Sequence, residues 1–177
     1  MYQVDSGLVD AYLSMKISNR LFRQFQSLPI CSQMDVDDCM ELFGCFDLIQ
    51  VAAGATIYEA ATTSDHTMRL ILDGQARADA PQPGVTRLLV AGDVFGLFSF
   101  LDAQRAHSAT LVAETRVTLL ALNRHQFNLI AMEYPALGKQ LMTFMFHLLS
   151  QTALRLESEY VASQTTISPH LQRPGDA

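Results

Sequence analysis

The chain has 177 residues, 49% of them hydrophobic, enough for one domain of ordinary size with a substantial core. Its formal net charge of -6 has the wrong sign for a free-standing protein whose main contact is a phosphate backbone, so direct nucleic-acid binding is not expected. The opening Met1-Tyr2-Gln3-Val4-Asp5 lacks the basic start and apolar run of a secretory signal, and no stretch approaches the roughly 18 uncharged apolar residues of a membrane span, so a cytoplasmic protein without membrane insertion is expected.

From Leu8 to Phe25 the apolar positions Leu8, Ala11, Tyr12, Met15, Ile17, Leu21, Phe22 and Phe25 recur mostly three or four apart, which predicts an amphipathic helix closed by Pro29. Asp35-Val36-Asp37-Asp38 places acids in the first turn of a second helix, with Gly44 as its stop. Cys31, Cys39 and Cys45 are odd in number and contain no C-x-x-C pair, so they read as buried free thiols. A cysteine-only iron-sulfur cluster, which needs four ligands, and uncommitted redox chemistry are the alternatives.

Beyond Gly44 the texture changes to short runs: Phe46 to Val51, Thr56 to Glu59, Thr67 to Leu72, Gln75 to Asp79, Val85 to Val90, Ser108 to Ala113 and Val117 to Asn123. Between them, Ala53-Gly54, Asp73-Gly74, Pro81-Gln82-Pro83-Gly84 and Gly92-Asp93 supply turn chemistry, and Asp73-Gly74 predicts a hairpin. The rhythm is that of an all-β barrel or roll.

After Asn123 the pattern returns to helix, first from Arg124 to Met132 and then, led by Pro135, through a long stretch ending near Ala162. Met142, Met145, Leu149, Ala153, Leu156 and Tyr160 form its stripe, longer than one roll covers. Met145, Leu149, Ala153, Leu156 and Tyr160 are therefore the candidate contact with a second copy in a homodimer, with packing on the chain's own N-terminal helix as the alternative. The polar tail from Ser163 to Ala177 is expected to be mobile, which divides the chain into an N-terminal helical segment 1–34, a domain 35–162 and a flexible tail 163–177.

This order of helices, short strands and a long closing helix resembles the cyclic-nucleotide-binding domain, and particularly the effector half of Crp/Fnr regulators. Ala53-Gly54 before Thr56-Ile57-Tyr58-Glu59, Ile71-Leu72-Asp73-Gly74-Gln75, Ala91-Gly92-Asp93-Val94-Phe95-Gly96 and Ser108-Ala109-Thr110-Leu111-Val112-Ala113 carry the likeness over roughly Asp35 to Tyr160. The resemblance implies a mainly β fold, a double-stranded β-helix (a β-roll or jelly roll) with N-terminal helices and a long C-terminal helix. It also implies a phosphate-binding cassette at Phe95, Gly96, Leu97, Phe98, Ser99, Arg105, His107, Ser108 and Thr110.

In the family a Glu after the Phe-Gly pair accepts the ribose hydroxyl, and an Arg before the Ser/Ala-Ala-Thr strand holds the cyclic phosphate. Here those places read Leu97 and His107. Leu97 accepts no hydrogen bond, and a neutral imidazole lacks the charge and fork of guanidinium, so the cassette is degenerate and cyclic AMP is not expected to bind in the usual way. Arg105, two residues before His107, is the candidate substitute clamp, with a solvated surface Arg as the alternative. His107 is also a candidate pH switch. Leu97, Phe98, Phe100 and Leu101 suggest a filled or greasy cavity, or else ordinary core.

No G-x-S-x-G, H-E-x-x-H, P-loop or G-x-G-x-x-G occurs, and His66, His107, His125, His147 and His170 are scattered without metal-ligand spacing. No catalytic residues, metal or required cofactor are expected. The resemblance implies a winged helix after the long helix, and the residues from Ser163 onward are too few for one. The reading is a non-enzymatic regulatory or sensor domain that dimerises and signals through its C-terminal helix. Its alternatives are a true cyclic-nucleotide receptor using Arg105 and a ligand-free scaffold for a partner protein.

Overall fold

The structure, a computed structural model, describes residues 20–167 apart from Gln33, Pro83 and Ala103. The predicted helix from Leu8 is thus seen only in its last turns, as α1 (Arg20–Gln26); its earlier part lies outside the described residues. A 3-10 turn (Pro29–Cys31) leads to α2 (Val36–Gly44). Asp35 caps α2 by accepting the Asp38 N–H at 2.8 Å, and Asp37 and Asp38 complement the helix dipole in its first turn. Gly44 does end this helix, but not as a left-handed cap: the following Cys45 stays right-handed and its N–H bonds back to the Leu42 carbonyl.

Eight strands follow: β1 (Asp47–Val51), β2 (Thr56–Tyr58), β3 (Thr67–Asp73), β4 (Ala76–Asp79), β5 (Thr86–Leu89), β6 (Val94–Phe95), β7 (Thr110–Ala113) and β8 (Val117–Asn123). They form two antiparallel four-stranded sheets, in the orders β1-β8-β3-β6 and β2-β7-β4-β5. The expected β-roll is the fold observed. The two-residue β6 has no counterpart among the runs read from sequence, because two residues show no alternation.

Asp73-Gly74 is not the hairpin its sequence predicted. β3 pairs with β6 and β8, whereas β4 pairs with β5 and β7, so this dipeptide carries the chain from one sheet to the other. A Cβ on Gly74, at φ +89°, would overlap the Arg116 carbonyl of the neighbouring crossover. The local turn chemistry was read correctly; strand pairing is a tertiary choice that a dipeptide does not encode.

Ile71, Phe95, Val117 and Leu119 from one sheet meet Ala76, Leu89, Leu111 and Ala113 from the other in the interior of the roll. β3 and β8 are buried on both faces, which explains why Met68 to Leu72 and Val117 to Leu122 run without alternation. Alternate residues, such as Leu70 and Leu120, point away from the interior to the side on which α1 packs on β3. Around α1 and α2, Phe22 and Phe25 lie 5.6 and 5.5 Å from Phe43, a cluster that also buries Cys31, Cys39 and Cys45 as free thiols.

The remaining helices are α3 (Leu97–Leu101), α4 (Arg124–Glu133) and α5 (Pro135–Ile167). Asn123 caps α4 by accepting the Gln126 N–H at 2.8 Å. The chain divides into two units between Leu141 and Met142, within α5. In the second unit, Leu154, Leu156, Tyr160 and Val161 are exposed, Leu149 is half-buried and Met145 is buried. α5 extends to Ile167, beyond the Ala162 expected from its apolar stripe. No helix among the described residues is long and apolar enough to cross a membrane.

Candidate functional site

The nine cassette residues read from sequence lie along β6, α3, the following loop and β7. The structure brings six of them together. Gly96, Phe98, Ser99, Arg105, His107 and Ser108, joined by Ala106 and Tyr58, line a small recess of about 40 Å3. Gly96 begins this arrangement at φ +73°, capping α3 in a conformation that turns β6 into the helix. A Cβ there would overlap the Thr67 carbonyl oxygen, so glycine is required twice, for its φ and for the close approach of β3.

The other three residues serve the scaffold. Phe95 belongs to the roll interior, with its ring 5.9 Å from Tyr58. Leu97 is buried and does not line the recess. Thr110 accepts the Ala60 N–H at 3.0 Å, tying β7 to the end of β2. The greasy cavity suggested by Leu97, Phe98, Phe100 and Leu101 does not form: Leu97 and Phe100 enter the core, while Phe98 and Leu101 face solvent. A short helix sends consecutive residues in different directions, so a run of apolar residues cannot line a single wall.

His107 is buried and lies flat on Tyr58, with ring centroids 3.8 Å apart and planes 10° from parallel. Its backbone is fixed on both sides, its N–H donating to the Thr62 carbonyl at 3.2 Å and its carbonyl accepting the Ala61 N–H at 2.9 Å. Arg105 sits on the same recess, but its guanidinium lies over the Phe98 ring at 5.6 Å. Ser99 donates its hydroxyl to the Gly96 carbonyl at 3.0 Å and so closes the first turn of α3.

Beneath the stack lies a charged pair that the sequence reading missed. Arg69, almost fully buried in β3, forms a bidentate salt bridge with the half-exposed Asp65 and donates to the Thr67 carbonyl at 3.2 Å. Its guanidinium is 6.0 Å from the Tyr58 ring. The available signal was a lone Arg inside the apolar run Thr67-Met68-Arg69-Leu70-Ile71-Leu72, since a charge in a buried strand demands a partner. Tyr58 was read as a strand residue, and only the fold carries β2 over the cassette.

These contacts set the protonation states. Burial pushes the His107 imidazole below its ordinary value of 6.5, with Asp65 opposing and Arg69 reinforcing the shift. Burial also pushes the Tyr58 phenol up to about 12, with Arg69 opposing. Burial would raise the Asp65 carboxyl, but the Arg69 hydrogen bond and charge, the Thr67 N–H and His107 hold it below the usual carboxylate range. At pH 7 the recess therefore presents a neutral His107, and a switch at this histidine would act at lower pH than an ordinary imidazole.

A stability prediction follows from this direction. Acidification through 6.5 protonates the unfolded His107 before the folded one, so its contribution to stability falls as the pH drops through that value. Asp65 acts in a separate window, losing its contribution only as the pH falls below about 3.8. Chemical denaturation of wild type and His107→Gln between pH 7.5 and 5 is expected to show a shallower loss in the variant. Equal slopes would contradict this assignment.

Among the described residues, no group of three or more His, Cys, Asp or Glu side chains is placed to hold a metal ion. The family model of the cyclic nucleotide-binding domain matches residues 48–134, the segment that contains every strand from β2 to β8, most of β1 and the whole recess. This segment belongs to the cyclic nucleotide-binding domain family. No curated protein matches the chain.

Solved structures of the same fold include a cyclic nucleotide-binding domain from Methylobacillus flagellatus KT, 17% identical with TM-score 0.66, covering 93% of this chain and 89% of that one. The N-terminal domain of a transcriptional regulator from Streptomyces coelicolor A3(2) is 22% identical with TM-score 0.56, covering 73% and 94%. The regulatory subunit of a cAMP-independent protein kinase A from Trypanosoma brucei is 20% identical with TM-score 0.61, covering 90% of this chain and 53% of that one. At these identities the likeness establishes the cyclic nucleotide-binding fold.

Proposed function

We propose that this chain is a non-enzymatic regulatory domain, working in the cytoplasm, whose cassette is held closed to cyclic nucleotide by its own side chains. The observation that carries this reading is the His107–Tyr58 stack. At the place where the family resemblance expects a guanidinium clamp, a neutral imidazole is buried against a ring and its backbone is bonded on both sides. Leu97, where the resemblance expects a ribose-binding Glu, is buried outside the recess. The transcriptional regulator and kinase regulatory subunit of the same fold support a regulatory role, and the kinase subunit is itself described as cAMP-independent.

Thermal unfolding with 1 mM cyclic AMP or cyclic GMP tests the reading. No stabilisation is expected, whereas a dissociation constant of about 10 μM would add about 2.7 kcal/mol and overturn it. The receptor alternative has one observation in its favour, Arg105 on the wall of the recess. Saturable binding that is lost in Arg105→Gln would establish that alternative.

The output of the domain is proposed to run through α5. Leu149, Ala153, Leu156 and Tyr160 are spaced four, three and four apart, the seam of a two-stranded coiled coil, and Leu156 and Tyr160 are exposed in the single chain. Met145, the fifth residue read for this contact, is buried. Changing Leu149 and Leu156 together to Glu is expected to give a folded monomer in analytical ultracentrifugation; an unchanged sedimentation coefficient would refute the seam.

A further inference from the structure

The cluster around α1 and α2 holds two nucleophiles that the recess does not use. Cys31 closes the 3-10 turn and Cys39 lies in the first turn of α2, and their side chains are hydrogen-bonded to each other. Cys31 is 3% exposed and Cys39 0% exposed, yet the cover is thin: Ser32 and Asp35 are exposed, and so is Val36, three residues before Cys39. The third thiol points elsewhere, the Cys45 Sγ donating to the Glu41 carbonyl at 3.3 Å.

Two thiols in contact differ chemically from scattered ones, because an oxidised sulfur formed on one is met at once by the other. The hydrogen bond gives the pair separate roles. Burial, the Cys39 charge and this bond push the Cys31 thiol up to about 12. Burial also raises Cys39, and Asp35 and Asp38 add to that, but the bond from Cys31 works the other way and makes Cys39 the first of the two to ionise. Neither thiolate is stabilised overall, so the pair attacks slowly. For the same reason a disulfide between them is hard to reduce, since a poor thiolate is a poor leaving group.

We propose that Cys31 and Cys39 are a peroxide-driven latch, joined on oxidation by a disulfide that fastens the Pro29–Cys31 turn to α2. The Cys39 thiolate attacks one oxygen of hydrogen peroxide, the O–O bond breaks, and the departing oxygen takes up a proton and leaves as water, with a sulfenic acid left on Cys39. The Cys31 sulfur then displaces the sulfenic hydroxyl, which leaves with the Cys31 proton as a second water. The two thiols lose two electrons, and these reduce the peroxide. A small uncharged oxidant suits this place, because local opening of a thin cover admits it and excludes bulky, charged glutathione disulfide. α2 is also the helix whose Asp38 accepts a hydrogen bond from Gln140 in the second turn of α5, so the bridge adjoins the start of the proposed output helix. The latch itself rests on neither that output nor the His107–Tyr58 stack.

Thiol counting on the full chain tests this. The folded protein is exposed to hydrogen peroxide, freed of it, denatured and alkylated with N-ethylmaleimide, and the adducts are counted by mass spectrometry. Wild type is expected to fall from three alkylated thiols to one, and Cys45→Ala from two to none, with dithiothreitol before alkylation restoring the full count in both. Cys31→Ala is expected to show no such reversible loss, because Cys39 has lost its resolving thiol. Three alkylated thiols in peroxide-treated wild type would overturn the proposal, as would a loss that dithiothreitol does not reverse, the mark of sulfinic acids. A reversible loss in Cys31→Ala equal to that in wild type would also overturn it, since that result gives Cys39 a different partner.

Discussion

Gly96→Ala is expected to lower stability by about 3 kcal/mol or more. Holding an alanine in the left-handed region costs roughly 1–2 kcal/mol, and overlap of its Cβ with the Thr67 carbonyl adds roughly 1–3 kcal/mol. The smaller entropy of the unfolded alanine chain offsets less than about 1 kcal/mol of this. The Thr67 carbonyl is backbone, already bonded by Arg69, so it cannot yield as the end of a flexible side chain would. Urea denaturation measures the loss, and a change under 1 kcal/mol would show that the β6–α3 turn can relax without the glycine.

The Asp65–Arg69 pair should respond asymmetrically. Asp65→Ala strands a guanidinium whose side chain is only 10% exposed, and breaking a buried pair from this side costs about 3 kcal/mol. Arg69→Met removes the buried charge and leaves a carboxylate that is 50% exposed and readily hydrated. The second variant is expected to lose under about 1 kcal/mol, or nothing. Denaturant midpoints of both variants decide between this account and a symmetric ion pair, for which the two losses would be equal. Asp65→Ala also removes the opposing charge beside His107, so the imidazole should protonate at still lower pH, which an NMR titration would record.

The fold was legible because it is written in two local signals that tertiary structure seldom overrides. The short runs from β1 to β8 alternate or stay continuously apolar according to whether one or both faces are covered, and every boundary but those before β3 and β8 carries glycine or proline. Pairing was less legible. Asp73-Gly74 satisfies the sequence rule for a hairpin yet joins two sheets, because partner choice depends on strands far along the chain. β6 is too short to register at all.

The site divided along the same line. Gly96, Phe98, Ser99, Arg105, His107 and Ser108 are close in sequence, and the short α3 with the loop after it delivers them to one recess. Tyr58, Asp65 and Arg69 approach from β2 and β3, and their effect on His107, through stacking and charge, exists only after the roll has closed. The sequence shows a histidine where the resemblance implies a clamp; that this histidine is buried and stacked on Tyr58 emerges only from the fold.

The claim on which the account turns is that the His107–Tyr58 stack occupies the cassette. Proton NMR of the His107 ring, assigned by its loss in His107→Gln, tests this most directly. The expected resonances are shifted upfield by the Tyr58 ring and unmoved by millimolar cyclic AMP or cyclic GMP. Resonances at the positions of a solvated histidine, or displaced saturably by either nucleotide, would contradict it.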